Sequence, residues 1–209
     1  MRIAIIGAGN VGSALARAFV ETGHQVVLTA RHADHAAKVA AEIGAAAATS
    51  NVEAFSVAEI VVLAVPSTAV ASIVDEVGPA IEGKIVVDPT NPTGRDYSEI
   101  VTASGSVAEG IHALAPAARV VKAFNTVFAG RMADPIVDGV PLDGFYAGGD
   151  DAAKSAVADL LAAIGYRPLD AGGLVAARAL ELMAQLNINL NARFGWPWQT
   201  GWKLLGPTS

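Results

Sequence analysis

The chain has 209 residues, of which 53% are hydrophobic and 16% charged, and its formal net charge is −6. This composition supports a folded domain with a sizeable core and excludes a disordered chain. The negative charge argues against a nucleic-acid partner, because such proteins neutralise phosphates with basic side chains. The absence of cysteine excludes disulfides, thiol catalysis and cysteine metal sites.

The N-terminus does not have the pattern of a signal peptide, because Arg2 leads directly into an apolar run that ends in glycine. The longest uncharged run, residues 60–74, is interrupted by Pro66. It is also shorter than the roughly 18 residues that a membrane span needs. We therefore expect a cytoplasmic protein with no membrane partner.

The first 28 residues predict a βαβ unit. Ile3–Ile6 is an uninterrupted apolar run, as expected for a strand that is buried on both faces. Apolar residues then recur at helical spacing up to Phe19, and Gly23 ends this helix. Val26–Leu28 is the next strand, and a helix between two strands is the crossover that a parallel pair requires.

The same alternation continues along the chain. It predicts helices at 33–44, 68–77 and 106–113, a weak strand at 45–48, and strands at 60–65, 85–87 and 119–123. Strands that alternate with helices at this spacing indicate an α/β fold, with a Rossmann-like doubly wound parallel sheet.

The last third predicts a strand at 144–147, a helix capped by Asp150, and a strand at 166–169 that Pro168 confines to a sheet edge. A long helix then runs from Leu174 to Ala192. Its only polar stripe is Arg178, Glu181, Gln185 and Asn189. So narrow a polar face predicts a buried helix, here between two subunits. We divide the chain into a nucleotide-binding domain, 1–171, and a C-terminal helical segment, 172–209, for the dimer and acceptor site.

Gly7, Gly9 and Gly12 form a G-x-G-x-x-G motif between the first strand and the first helix. Gly7 permits a tight turn, Gly9 lets the backbone approach a pyrophosphate, and Gly12 lets the helix pack on the strand. The pyrophosphate then meets the free N–H groups of the helix N-terminus. The motif in this context predicts a bound dinucleotide.

The end of the second strand indicates which dinucleotide binds. Sites for NAD place an acidic residue there, on the ribose 2′-hydroxyl. This chain instead has Thr29-Ala30-Arg31-His32, with His35 and Lys38 nearby and no acid before Asp34. A guanidinium suits a phosphate, so we predict NADP(H).

Three further loops follow strands and meet at the carboxyl edge of the sheet, where ligands bind in such folds. They are residues 64–68, 88–92 and 122–127. Asn91 and Asn125 can orient a carboxamide or a ring, whereas Asn also caps turns.

Convincing acid–base groups are scarce. Lys122 and Asn125 could serve such a step, although Lys122 could equally cap a strand end or contact a phosphate. His24 is typical of a surface turn and His112 of an apolar core, and no histidine pair has metal-ligand spacing with a carboxylate. We therefore name no catalytic and no metal-binding residue. Reduction of a carbonyl or imine needs a proton donor. Hydride transfer between two cofactors mainly needs positioning, and the sequence fits it better.

The segments RIAIIGAGNVGSALA, VVLTARH, VVLAVP, VVDPTNP, VVKAFNTV, AGGDDAAK and RPLDAGGL, followed by a long helix to GWKLL, give the chain a family resemblance. It resembles the NADPH-dependent reductases of coenzyme F(420), an 8-hydroxy-5-deazaflavin, over nearly its whole length. The oxidoreductase domain of the six-transmembrane metalloreductases is similar too.

The resemblance implies a reversible hydride transfer between NADP(H) and the deazaflavin, and a homodimer built partly on the C-terminal helices. It places Ala8, Gly9, Asn10 and Val11 on the pyrophosphate, and Ala30, Arg31 and His35 on the 2′-phosphate. Pro66, Asn91 and Ala129 would lie near the nicotinamide half. With the motif and strand-end residues above, the full set of expected cofactor-binding residues is Gly7, Ala8, Gly9, Asn10, Val11, Gly12, Thr29, Ala30, Arg31, His35, Ala64, Val65, Pro66, Asn91, Asn125 and Ala129.

The chain departs from the family pattern at three of these positions. Ala30 replaces a serine, so that Thr29 would supply the phosphate hydrogen bond. His35 replaces a lysine, which would make NADPH affinity depend on pH. Asn125 replaces a histidine at a position that faces the acceptor.

Several alternatives stay open at this point. The acceptor could be a flavin, an imine or a ketone, or the protein could be a non-catalytic NADPH-sensing module. Phe194, Trp196, Trp198 and Trp202 could form a subunit contact, or one indole could stack on the acceptor ring.

Overall fold

The computed structural model describes residues 1–92 and 105–207, and within them eight strands form one sheet. The sheet strands are β1 Arg2–Ile6, β2 Gln25–Thr29, β3 Ala46–Ala47, β4 Ile60–Leu63, β5 Ile85–Asp88, β6 Arg119–Ala123, β9 Asp143–Gly148 and β10 Arg167–Asp170. A separate two-stranded hairpin consists of β7 Ile136–Val137 and β8 Val140–Pro141. The helices are α1 Asn10–Glu21, α2 Ala33–Ile43, α3 Asn51–Val57, α4 Val70–Val77, α5 Val107–Leu114, α6 Ala129–Met132, α7 Asp151–Ile164 and α8 Ala177–Phe194.

The strand order β3-β2-β1-β4-β5-β6 confirms the predicted doubly wound, Rossmann-like sheet. These six strands are parallel, and the order reverses between β1 and β4. The pairing of β9 with β6 is antiparallel, and the direction of β9 was not predicted. The hairpin β7–β8 turns the chain round before β9, and β10 then adds parallel to β9 at the sheet edge, where it was expected.

Helices cover both faces of the sheet because the side chains of each central strand alternate between two apolar layers. Ile3 and Ile5 point into the layer that contains α1, α2 and α7. Ala4 and Ile6 point into the layer that contains α3, α4 and α5. Burial on both faces explains the uninterrupted apolar run of β1.

Helix α3, the short helix α6 and the hairpin β7–β8 were not predicted. Helix α3 begins after Ser50, whose hydroxyl accepts a hydrogen bond from the backbone N–H of Glu53. This Ser-x-x-Glu spacing is a helix-start signal that could have identified α3 from the sequence. The hairpin β7–β8 is too short for a periodic pattern, but its turn residues Asp138 and Gly139 both have positive φ and are typical of a hairpin turn.

Helix α8 buries part of its predicted polar stripe. A single 3₁₀ turn at Leu174–Ala176 precedes it, and its predicted polar stripe points inward at Glu181 and Gln185, which are 4% and 3% exposed. The apolar side chains of Leu182 and Leu186 are 46% exposed. Two members of the predicted polar stripe are therefore buried, because Glu181 bonds to the buried Lys122. Burial of this helix between two subunits stays a prediction.

The segment after α8 returns to the sheet and is held there by Asp143. This buried carboxylate accepts a bidentate pair of hydrogen bonds from Arg167, both of 2.7 Å. It also accepts a 2.6 Å hydrogen bond from the backbone N–H of Leu204. These contacts, with Lys203 at 3.2 Å, hold the pKa of Asp143 below its usual value although burial opposes the shift.

Candidate functional site

The turn between β1 and α1 can be formed only with glycine at two of its three motif positions. Gly7 has φ +107°, and a Cβ atom there would lie 2.2 Å from the carbonyl oxygen of Ala64. A Cβ atom on Gly12 would lie 1.8 Å from the carbonyl oxygen of Gly7. A Cβ atom on Gly9, in contrast, would meet nothing within 4 Å. Backbone packing therefore requires glycine at positions 7 and 12, whereas it sets no such requirement at position 9.

Gly9 is also the N-cap of α1, which has neither a side-chain cap nor an acidic residue in its first turn. The first N–H groups of a helix have no partners within the helix. Together with the dipole of α1, they offer an anion a binding position directly above Gly9.

A cavity of about 530 Å³, called the outer pocket below, lies where the strand order reverses. It opens between the carboxyl ends of β1, β2 and β4, the position at which doubly wound sheets bind nucleotides. Its lining residues are Ile6, Gly7, Ala8, Gly9, Thr29, Ala30, Arg31, His32, His35, Asn51, Ala64, Val65, Pro66, Ala69, Ser72 and Ile73. Ten of the sixteen residues expected to bind the cofactor are in this set.

Arg31 supplies the positive charge of the outer pocket. Its side chain is exposed and has no hydrogen bond or ion pair with another residue of the described ranges. No carboxylate therefore has to be displaced before the guanidinium contacts a phosphate.

The hydroxyl of Thr29 is hydrogen-bonded to a residue of helix α3. Its hydroxyl lies 2.7 Å from Oδ1 of Asn51, and Nδ2 of Asn51 donates to Glu76 at 2.9 Å. Because an ionised carboxylate only accepts, Asn51 must turn its amide nitrogen to Glu76 and its oxygen to Thr29. The Thr29 proton is then committed to Asn51. Donation from Thr29 to a phosphate would require this proton to turn away from Asn51, and the expected role of Thr29 stays a prediction.

His35 links the phosphate end of the outer pocket to the glycine turn. Its Nε2 lies 2.9 Å from the carbonyl oxygen of Ala8, and since a carbonyl only accepts, this nitrogen carries the proton. The second ring nitrogen can therefore donate to a phosphate only when the imidazole is charged.

An open groove continues past the glycine turn on the side of α2 and α6. It has a volume of about 530 Å³ and is lined by Ala8, Gly9, Asn10, Ser13, His35, Val39, Ala129 and Gly130. Asn10 and Ala129 of the expected set belong to this groove. Gly12 lines none of the cavities described here, in keeping with its packing role.

A smaller cavity of about 140 Å³, called the inner cavity below, lies beyond the first turn of α1. A cavity of about 150 Å³ is large enough for benzene, so a single ring fits here and a dinucleotide does not. The lining residues are Val11, Pro89, Asn91, Asn125, Thr126, Val127, Phe128, Ala129, Met132, Ala184, Asn187 and Ile188. Of the expected set, Val11, Asn91, Asn125 and Ala129 lie here, whereas Pro66 lies in the outer pocket.

Asn91 and Asn125 form a reciprocal pair at the wall of the inner cavity. Nδ2 of Asn125 donates to Oδ1 of Asn91 at 2.9 Å and to the carbonyl of Leu180 at 3.0 Å. Nδ2 of Asn91 donates to the backbone carbonyl of Asn125 at 2.9 Å. Oδ1 of Asn125 is buried and has no partner among the described residues. An unsatisfied buried acceptor calls for a donor, and a ligand N–H in the cavity can supply it.

Lys122 lies behind this wall and is fully buried. Its Nζ donates to Asp88 at 2.9 Å, to Glu181 at 2.7 Å and to the carbonyl of Thr90 at 2.5 Å. All three protons are thus used, and the ammonium cannot reach a substrate. The hypothesis that Lys122 serves an acid–base step is not supported.

The inner cavity has no obvious general acid. Among its described lining residues, none carries a side chain that titrates near neutral pH. His24 lies at the surface turn where it was expected, but His112 is exposed on α5, so its prediction as a core residue is wrong. Within the described ranges, no three potential ligands among His, Cys, Asp and Glu are grouped closely enough to hold a metal ion.

Sequence reasoning missed the part of each cavity that comes from distant elements. Asn51, Ser72 and Ile73 complete the outer pocket, and α8 supplies Ala184, Asn187 and Ile188 to the inner cavity. Prediction of α3 would have pointed to Asn51. The α8 residues carried no such signal, because periodicity alone does not say which face of a helix lines a cavity.

The chain is similar to a known protein family and to two kinds of characterised enzyme. The family described as "NADP oxidoreductase coenzyme F(420)-dependent" matches residues 2–92. The F(420)-dependent NADP reductase of Methanothermobacter marburgensis is 31% identical over 92% of this chain and 93% of its own length. The metalloreductase STEAP3 of Rattus norvegicus is 32% identical over 86% of this chain. The match spans only 36% of that longer protein.

Two solved structures extend the comparison. A putative F(420)-dependent NADP reductase from Arthrobacter sp. FB24 has a TM-score of 0.88 and 29% identity, covering 99% of this chain and 100% of that one. An imine reductase from Streptomyces aurantiacus has a TM-score of 0.69 and 23% identity, covering 94% of this chain and 62% of that one. The second likeness shows the shared fold alone. Across the described residues, we find no helix with the length and apolar character to cross a bilayer.

Proposed function

The chain belongs to the coenzyme F(420)-dependent NADP oxidoreductase family, and from this premise we propose that it transfers a hydride between NADP(H) and the deazaflavin coenzyme F(420). The protein is an NADP-dependent oxidoreductase, and the proposal adds the identity of its acceptor. In the direction of F(420) reduction, the C4–H bond of NADPH breaks, its electron pair forms a C–H bond at the deazaflavin C5, and the deazaflavin takes up a proton from water.

The observation that carries the proposal is the composition of the inner cavity. Its polar groups are amides and a hydroxyl, which orient a ring but do not protonate a product. Transfer between two cofactors needs mainly this positioning, because the cofactors carry the chemistry.

The outer pocket fits NADP(H) on three counts. Arg31 is unpaired among the described residues, Gly9 leaves open space above the turn, and α1 presents an uncapped N-terminus. A dinucleotide with its 2′-phosphate at Arg31 and its pyrophosphate at Gly9 extends towards Val11. Its nicotinamide ring then enters the inner cavity, where Oδ1 of Asn125 can accept the carboxamide N–H.

The stated division of the chain is part of the same proposal. Residues 1–171 bind the nucleotide, and residues 172–209 close the acceptor side and carry the dimer contact. The enzyme acts in the cytoplasm on a small-molecule co-substrate, with no nucleic-acid or membrane partner.

Stopped-flow absorbance with purified protein, NADPH and oxidised F(420) tests the proposed acceptor. We expect the visible band of the deazaflavin to disappear at a catalytic rate. The Arg31→Ala variant at limiting NADPH should abolish this loss. If the band persists while NADPH still binds in a titration, the acceptor is not F(420), and FMN, a cyclic imine and a ketone are the next probes.

The buried position of Lys122 weighs against the imine or ketone alternative, since the inner cavity has no other ammonium or imidazole among its described lining. A non-catalytic NADPH sensor would bind NADPH without oxidising it in the presence of any of these acceptors. The same stopped-flow series therefore separates the three functions.

We also propose that α8 forms a homodimer contact. Val175, Leu182 and Leu186 are 61%, 46% and 46% exposed, and their spacing of seven and four residues places them on one side. Exposed apolar patches of this kind mark interaction sites. Phe194 and Trp196, stacked with centroids 5.1 Å apart, extend the apolar surface.

Charged substitutions on this face should dissociate the dimer. We expect the wild type to sediment at twice the monomer mass of 21.2 kDa and Leu182→Glu/Leu186→Glu to sediment as a monomer. Leu114→Glu, at a 59% exposed position on α5, is the matched control and should remain dimeric. A monomeric wild type, or a dimer that survives the double substitution, would contradict the proposal.

A further inference from the structure

We propose that the buried cluster of Lys122, Asp88 and Glu181 carries one negative charge in excess and thereby favours the oxidised, positively charged nicotinamide over the neutral reduced ring. The inference rests on the proposed function, because it places the nicotinamide in the inner cavity. It assigns a role to the carboxylates of Asp88 and Glu181, which do not line the inner cavity.

The cluster lies directly behind the inner cavity. Asp88 and Thr90 flank Pro89, which lines the cavity, and Ala184 follows Glu181 by one turn of α8. Lys122 precedes Asn125 by three residues, and Asn125 bonds to the carbonyl of Leu180. The cavity wall thus consists of the near neighbours of the charged groups, with no charged side chain of its own among the described residues.

The hydrogen bonds define the charge of the cluster. Asp88 accepts from Lys122 and from the backbone N–H of Thr90, so both of its oxygens have donors. Oε1 of Glu181 accepts from Lys122 and from the backbone N–H of Val107 at 2.9 Å. Donors to both oxygens of Asp88, and an ammonium and an N–H donating to Oε1 of Glu181, favour the ionised form of each carboxyl. With both carboxyls ionised, one ammonium neutralises only one of the two.

The excess charge of the cluster lies in the protein interior, where the effective dielectric constant is low. Asp88 and Lys122 are 0% exposed, and Glu181 is 4% exposed. Burial, with a smaller contribution from the nearby Asp88 carboxylate, raises the pKa of Glu181, while the Lys122 ammonium and the Val107 N–H oppose that shift. Solvent does not surround a buried charge and therefore screens it only weakly. The charge of the cluster thus acts on a nicotinamide ring on the other side of the cavity wall. Oxidation of NADPH places a positive charge on that ring, and the cluster stabilises this state.

The test measures the dissociation constants of NADP⁺ and NADPH by fluorescence titration, without acceptor and at mildly alkaline pH. Glu181→Gln preserves an oxygen that accepts from Lys122 and Val107 but removes the excess charge. We expect the ratio Kd(NADP⁺)/Kd(NADPH) to rise about threefold to tenfold. Asp88→Asn makes the same change of charge from β5 and should move the ratio in the same direction.

Glu109→Gln is the matched control for a loosened α8. Glu109 bonds to Arg178 at 2.6 Å and 2.8 Å, so this variant weakens the contact between α5 and α8 without changing the charge of the cluster. Its ratio should equal that of the wild type. An unchanged ratio in Glu181→Gln and Asp88→Asn, or an equal loss of both affinities, overturns the inference. A wild type that binds neither nucleotide overturns the proposed function instead.

Discussion

Replacing Arg31 with glutamine should raise the Kd for NADPH about 10- to 100-fold, since a hydrogen bond to a charged group contributes about 1.5–3 kcal/mol and each 1.4 kcal/mol is tenfold. The Kd for NADH should change about twofold or less, because NADH has no phosphate for the guanidinium to bind. Arg31 pairs with no described residue, so its loss should leave the free energy of unfolding unchanged. Titration of both nucleotides with both proteins gives the four constants.

Arg17→Gln is the control for overall charge. Arg17 is exposed on α1 and outside the described cavities, so this variant removes the same positive charge without a phosphate contact. Its affinity for NADPH should equal that of the wild type. Equal losses for NADPH and NADH in Arg31→Gln would mean that Arg31 does not recognise the 2′-phosphate.

The sequence predicted the features that depend on local pattern. The apolar run of β1, the glycine turn and the αL glycine that ends α2 at Gly44 are encoded within a few residues, and the structure confirms them. The reversed direction of β9, which lies between β6 and the edge strand β10, was not predictable in this way. Its direction depends on how the chain folds back through β7–β8, and apolar periodicity is the same for both directions.

The polar stripe of α8 shows a second limit. Periodicity identifies which residues share a face but not which face is buried, and the usual assumption turns charged residues outward. Here Lys122, from a strand 59 positions earlier in the chain, provides the partner that buries Glu181. A pairing over that distance leaves no local signal. The contact of Thr29 with Asn51 was missed because α3 itself was not predicted.

Substituting alanine at two glycines of one motif should give opposite results. Gly12→Ala should lower the free energy of unfolding by about 1–3 kcal/mol, because its Cβ would lie 1.8 Å from the backbone oxygen of Gly7 and α1 must move. Gly9→Ala should unfold like the wild type, since its φ of −79° suits any residue and its Cβ meets nothing within 4 Å. Urea denaturation of both variants measures the difference.

The affinity of the Gly9→Ala variant for both nucleotides tests the position of the pyrophosphate. The open space above Gly9 is where the proposed function places the pyrophosphate, so a methyl group there should weaken NADPH binding about tenfold or more, at the 1.4 kcal/mol that each tenfold requires. NADH should weaken equally, because both nucleotides share the pyrophosphate, and this distinguishes Gly9→Ala from Arg31→Gln. If Gly9→Ala bound both nucleotides normally, the dinucleotide would not cross the turn at Gly9. The path from Arg31 to the inner cavity would then have to be redrawn through the groove beside α2 and α6.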